Sequence, residues 1–158
     1  MAKKLDQVDL KILTELSKDA QMPYTEVAKR AGVSSGTVHL RMKKMMDAGM
    51  VTGTTLSMDY AKMGWTVSAF VGIHLKETSQ FDQVYAELEK LPEIVKIHYT
   101  TGKFNMFIKV HARDNKHLKF ILHDQIDPMS QIRRTETFLT LEEMLNRHIV
   151  FDESESGE

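Results

Sequence analysis

The chain has 158 residues, enough for one ordinary domain or two small ones, and is 42% hydrophobic and 27% charged. No run approaches the ~18 apolar residues of a membrane span, and the lack of cysteine excludes a disulfide framework or a thiolate metal site. The net charge of −1 hides an asymmetry: residues 1–58 carry nine Lys/Arg against six Asp/Glu, and residues 59–158 carry twelve against sixteen, ending in the acidic "FDESESGE".

A basic first third suits a phosphate-facing module joined to a part that does not touch phosphate. The start "MAKKLDQVDLKIL" is not a signal peptide, because Asp6 and Asp9 interrupt any apolar stretch, and a cytoplasmic protein is expected. In "LDQVDLKILTELSKD", Leu5, Val8, Ile12 and Leu16 recur at helical spacing behind Asp6 as N-cap. A second helix is predicted from Tyr24 to Ala31, ended by the left-handed turn that Gly32 permits. Ser34 then caps a third, "SGTVHLRMKKMMDAG", whose Val38, Met42 and Met45 form a packing stripe and which stops at Gly49.

From Met50 the pattern changes. "MVTGTTLSMD" reads as a short strand or wing and a connector around Gly53. "TVSAFVGIHLK" alternates with period two, placing Val67, Ala69, Val71, Ile73 and Leu75 on one face and Phe70 and His74 on the other. "SQFDQVYAELEKLP" is helical, with Phe81, Val84, Leu88 and Leu91 inward and Pro92 as its stop. Strands "VKIHYTT" and "NMFIKVHA" follow, joined by a turn at Gly102-Lys103; a helix capped by Asp114 and a strand "QIRRTETFLTLEE" close the series.

The expected fold is therefore α+β: a three-helix helix-turn-helix domain joined to a ferredoxin-like βαββαβ domain. The boundaries are a winged helix-turn-helix at residues 1–50, a connecting strand or linker at 51–65, a sensing and oligomerisation domain at 66–150 and an acidic disordered tail at 151–158. Two helices cover only one face of a four-stranded sheet. The other would show Phe70, His74, Phe107, His111, and either Arg134, Glu136 and Phe138 or their neighbours, a surface expected to meet a second copy.

A DNA-reading helix-turn-helix needs a small residue where its helices cross, a turn residue tolerant of positive φ and an apolar anchor on the second helix; Ala28, Gly32 and Val38 supply them in order. Gly36, His39, Leu40, Lys43 and Asp47 then project outward toward base edges in a major groove. Ser35, Gly36 and Thr37, behind Ser34, offer the helix N-terminus to a phosphate, and the hydroxyls with Arg41, Lys43 and Lys44 mostly position the backbone. The alternative is a metabolite-binding oligomerisation module whose helical part docks another protein. Steep loss of duplex affinity with salt separates the two.

No metal or cofactor is expected: the seven histidines show no H-E-x-x-H or other ligand spacing, and His117 and His123 lie six apart, off the i,i+4 spacing. No P-loop or nucleophile elbow appears, so an enzyme is not expected.

"LDQVDLKILTELSKDAQMPYTEVAKRAGVSSGTVHLRMKKMMDAGMVTG", "HYTTGKFNMFIKV" and "RRTETFLTLEE" together resemble the Lrp/AsnC, or feast/famine, family of transcription regulators over about residues 4–150. "GTVHLRMKKMMDAG", "YTTG" and "TET" look most like its AsnC branch. The resemblance implies dimers formed through the C-terminal sheets, their assembly into octamers with double-stranded DNA outside, and an amino-acid effector between dimers. Carried onto this chain, it implies an effector pocket of Tyr99, Thr100, Thr101, Gly102, Lys103, Phe104 and Asn105, with Thr135 and Thr137 on the last strand. Backbone N–H groups at a glycine turn can hold a carboxylate, and a carboxylate or carbonyl must hold the ammonium. Many leucine-type members have Asp at Asn105, so the amide here speaks against leucine and is compatible with an asparagine-like ligand.

Overall fold

Capping and apolar spacing place the helices where the sequence predicts them in a computed structural model that describes residues 5–151. Helix α1 spans Gln7–Lys18 and opens with a reciprocal box: the Asp9 N–H donates to Asp6, and the Asp6 N–H donates back to the Asp9 carboxylate. Helix α2, Tyr24–Ala31, ends on Gly32 at φ 71°, a left-handed conformation that costs a side-chain-bearing residue roughly 1–2 kcal/mol. Helix α3, Ser35–Asp47, starts at Ser34, whose Oγ accepts from the Thr37 N–H at 3.1 Å. Ile12, Val27, Ala28, Ala31, Val38, Met42 and Met45 fill the core between the three.

The chain divides into two units: one runs to Ser57 and resumes at Leu145, the other is Met58–Met144. Within the first, Phe151 lines a recess with Leu10, Thr14 and Arg30. The rest of the expected acidic tail, 152–158, lies outside the described residues. The wing or strand expected after Met50 does not form: residues 52–59 carry no strand pairing. Their β-branched and hydroxyl side chains favour extended backbone, but a strand also needs a partner, and among the described residues no strand pairs with this segment.

The second unit is a four-stranded antiparallel sheet ordered β2-β3-β1-β4, with β1 Val67–Leu75, β2 Ile94–Tyr99, β3 Met106–Ala112 and β4 Ile132–Leu139. This is the expected ferredoxin-like arrangement. Helix α4 (Phe81–Leu88), preceded by a 3-10 turn at Thr78–Gln80, and helix α5 (Asn115–Phe120) complete it. The second helix is not uniform as expected: after α5 the backbone widens into a π-helical turn, Ile121–Ile126, which brings Ile121 and Ile126 both into the core. Ala69, Val71, Ile73, Val84, Leu88, Met106, Ile108 and Val110 are all buried on the helix side.

Register fixes the open face. Phe70 pairs with Phe138, Gly72 with Glu136 and His74 with Arg134, so of the two sets left open on the last strand it is Arg134, Glu136 and Phe138 that share this face. Phe70 and Phe107 stack at 5.4 Å between centroids, and Phe107 lies 5.8 Å from Phe104 and 6.4 Å from Phe138. Tyr60 stacks on His111 at one end of the face.

Candidate DNA interface and effector site

On α3 the core stripe of Val38, Met42 and Met45 sets which side chains are outward. Gly36, Leu40, Lys43, Lys44 and Asp47 are exposed, and Leu40 keeps 54% of its surface in solvent. Lys43 and Lys44 have no carboxylate within ion-pair distance among the described residues. Other cations of this unit are paired with acids: Arg30 bonds Glu15 at 2.7 Å and Glu26 at 3.0 Å, and Lys18 bonds Glu15 at 2.8 Å. The two donors on Glu15 hold its carboxyl below the ordinary range.

Two residues expected to meet phosphate are placed otherwise. Arg41 lies on the flank of α3 next to α1, where it pairs with Asp6 and reaches Asp9 at 3.3 Å. Two carboxylates thus consume the charge offered for DNA. The Asp9 N–H and then Arg41 hold the Asp6 carboxyl low. Thr37 spends its N–H on Ser34 Oγ, and the two hydroxyls lie 2.9 Å apart, which leaves Ser35 and Gly36 as the first-turn residues facing out. His39 is exposed, but its ring meets Tyr24 edge-on at 4.6 Å, which fixes its direction.

The turn of residues 100–105 is built from its own polar groups. The Thr100 hydroxyl donates to the Phe104 carbonyl at 2.8 Å, and the Thr100 N–H donates to the Asn105 carbonyl. Asn105 ties the turn to β1: its N–H donates to the Ile73 carbonyl, and its Oδ1 accepts from the Leu75 N–H at 2.9 Å. The side-chain oxygen of Asn105 is therefore a bracket between strands, and an aspartate oxygen would serve the same bond.

Phe104 lies flat over Gly72. A Cβ at that glycine would sit 2.5 Å from the ring, so only glycine permits the contact. The implied effector set splits across the sheet. Lys103 and Phe104 reach onto the open face, whereas Tyr99, Thr135 and Thr137 are in register with the helix-side residues Met106, Ile73 and Val71. Tyr99 meets Phe81 edge-on at 4.6 Å, and the Thr135 hydroxyl lies 3.2 Å from Asp127. Alternation, which puts successive residues on opposite faces, separates the two threonines from Glu136 between them.

Glu136, which the sequence placed in one of two possible sets on the open face but not among the site residues, gathers three donors there. Lys103 Nζ is 2.5 Å from its Oε2, while Arg134 (2.8 Å) and His74 (3.3 Å) meet its Oε1. These donors, Lys103 foremost, hold its carboxyl below the ordinary range. Its phase with Phe138 was the available signal. Among the described residues no three His, Asp or Glu side chains converge as a metal site, and no helix is long and apolar enough to cross a membrane.

Residues 5–52 match the winged helix-turn-helix DNA-binding domain, and residues 68–150 match the Lrp/AsnC ligand binding domain. The chain belongs to the Lrp/AsnC family. It is 39% identical over 145 residues to the regulatory protein AsnC of Haemophilus influenzae, spanning 92% of this chain and 97% of that one. The solved structure of AsnC from Escherichia coli superposes with a TM-score of 0.87 at 36% identity, covering 92% of this chain and 98% of that chain. A Neisseria meningitidis regulator, solved as a complex with L-Met, shares the fold at 20% identity with a TM-score of 0.86, over 90% and 94% of the two chains. The family places a DNA-binding domain on α1–α3 and a ligand-binding domain on the sheet, and its relatives are regulators of transcription, not enzymes.

Proposed function

We propose that this Lrp/AsnC regulator reads duplex DNA with the outward face of α3 and answers to a free amino acid, with an asparagine-like ligand favoured, held at the turn between β2 and β3. The observation that carries the DNA reading is the contrast in charge: among the described residues Lys43 and Lys44 have no carboxylate partner, while Arg30, Arg41 and Lys18 are spent on acids of the same unit. Uncompensated cations on a helix are what phosphate contact requires. Ser34, Ser35, Gly36 and Thr37 supply the capped end; His39, Leu40 and Lys43 would face base edges.

Residues 1–50 read DNA, 51–65 connect, and 66–150 sense and self-associate. The open face supports self-pairing, because Phe138 is 47% exposed in an aromatic cluster with Phe70, Phe104 and Phe107. A dimer built there presents two α3 helices to half-sites about one helical turn apart or a multiple of it, and dimers gather into octamers. The ligand acts by preferring one arrangement of dimers, since equal affinity for two arrangements shifts neither. A cytoplasmic location follows from these partners.

The test has two arms. Duplex binding by the full chain should fall steeply between low and moderate salt, and one of the twenty amino acids should raise the melting temperature and change the sedimentation behaviour. A monomer indifferent to every duplex at low ionic strength would end the DNA reading, and no thermal response to any amino acid would end the ligand reading.

A further inference from the structure

Phe151 marks the place where the C-terminal segment seats on the helical unit. It shares a recess of about 320 Å³ with Leu10 and Thr14 of α1 and with three cations, Lys11, Lys18 and Arg30. Glu15 is the one acid among the described residues that line it, and both of its oxygens are taken: Oε1 by Lys18 at 2.8 Å and Oε2 by Arg30 at 2.7 Å. The lining therefore carries an excess of positive charge. Lys18 and Arg30 keep 64% and 49% of their side chains in solvent, so each can still take a further acceptor.

The residues that follow Phe151 bring acceptors to that spot. Asp152, Glu153, Glu155 and Glu158 all fall within the next seven positions. The charges also balance. Residues 1–57 of this unit carry nine Lys/Arg against six Asp/Glu, a net of +3, and residues 145–158 carry Arg147 against those four acids, a net of −3. Reach is sufficient, since seven extended residues span roughly 23 Å, whereas Lys11 and Lys18 are separated by about 10 Å along α1. Exposed ion pairs contribute little singly, but a segment already tethered through Phe151 forms them within one molecule, at high effective concentration.

We propose that residues 152–158 dock along α1 of their own chain, with their carboxylates on Lys11, Lys18 and Arg30, and that the docked segment damps duplex binding by the same unit. The damping rests on the DNA reading above; the docking does not. Held on α1, the segment leaves Lys43 and Lys44 of α3 uncovered. It acts through the field of the unit, which it brings from +3 to neutral and so deprives of the attraction that steers a polyanion in. Such an effect reaches about 30 Å at 0.01 M salt and only about 10 Å at 0.1 M, so the acidic segment makes duplex capture depend on ionic strength.

The test uses the full chain in two arms. A water-soluble carbodiimide joins carboxylates to amines that touch, and mass spectrometry of the digest should find residues 152–158 linked to Lys11 or Lys18. Phe151→Ala should lower the yield of that link. Links absent, directed instead to Lys43 or Lys44, or formed only between copies in a mixture of isotope-labelled and unlabelled protein overturn the docking, and an unchanged yield in Phe151→Ala overturns the anchor. In the second arm Asp152→Asn, Glu153→Gln, Glu155→Gln and Glu158→Gln are combined, with folding checked by circular dichroism. Stopped-flow anisotropy with a labelled duplex should show association faster by roughly tenfold at low salt, the lower end of electrostatic steering, with the gain fading at about 0.2 M. A rate equal to that of the unmodified protein at low salt, or a gain that persists at high salt, overturns the damping. Should the unmodified chain bind no duplex at all, the DNA reading and the damping fall together, and the crosslink alone decides the docking.

Discussion

Replacing Lys43 and Lys44 together by alanine removes from α3 two cations that have no carboxylate neighbour among the described residues. If each meets one phosphate, a dimer loses four contacts. Each contact contributes about 0.9 to the slope of log affinity against log salt, so the slope should flatten by roughly 3.6. Across a fourfold change in salt, from about 50 to 200 mM, that difference amounts to about 150-fold in affinity. Arg41→Ala is the contrasting variant. Its charge is neutralised by Asp6 and Asp9, so the slope should stay within error of the unmodified protein, while the melting transition of the helical unit falls by about 1 kcal/mol, the usual scale of a partly exposed ion pair. Fluorescence anisotropy of a labelled duplex over a salt series measures all three proteins. An unchanged slope in the double variant, or an equal flattening by Arg41→Ala, refutes the charge argument.

Gly72→Ala drives a methyl group into the Phe104 ring and should cost about 1–3 kcal/mol of sensor stability, seen as a lowered melting temperature, together with loss of the ligand response; an unshifted transition would contradict the close approach. Gly32→Ala must adopt φ 71° and should destabilise the helical unit by about 1–2 kcal/mol in urea titration, while Gly36→Ala, whose nearest neighbour would be 3.8 Å away, should fold as well as the parent. Glu136 has its pKa depressed in the fold, chiefly by Lys103, so its contribution is fully present above the unfolded value near 4.5 and is lost as pH falls below it. The melting temperature of the sensor unit should therefore drop on the acid side, and Glu136→Gln should show a shallower acid limb.

What the sequence made legible follows from how local each cause is. Asp6, Gly32 and Ser34 act within one turn of chain, and the helix boundaries they set are the ones observed. Alternation from Val67 to Leu75 assigns the two faces of β1 without any knowledge of its neighbours. The phase of β4 needed the register against β1, and the irregularity between His74 and Leu75 shows why counting back from the strand end would mislead. Thr135 and Thr137, which the family resemblance implies as ligand groups, lie on the helix side of the sheet, opposite Lys103, Phe104 and Glu136, a division that only the register against β1 reveals. Arg41 has the same spacing from the core stripe as a groove-facing residue might; only the arrival of α1, with two acids on one turn, decides its side. The π-helical turn has no local signature, since it is set by how Ile121 and Ile126 are both drawn into the core.

Leu40 stands beside His39, Lys43 and Lys44 on the outward face of α3, more than half in solvent and outside the core cluster of its own unit. Set into a major groove, its natural apolar counterpart is the C5-methyl group of thymine. Half-sites would then be marked by a methyl as well as by hydrogen-bonding edges. Uracil substituted for thymine at one position should weaken the complex without altering a single base pair, and 5-methylcytosine at that position should restore part of the loss.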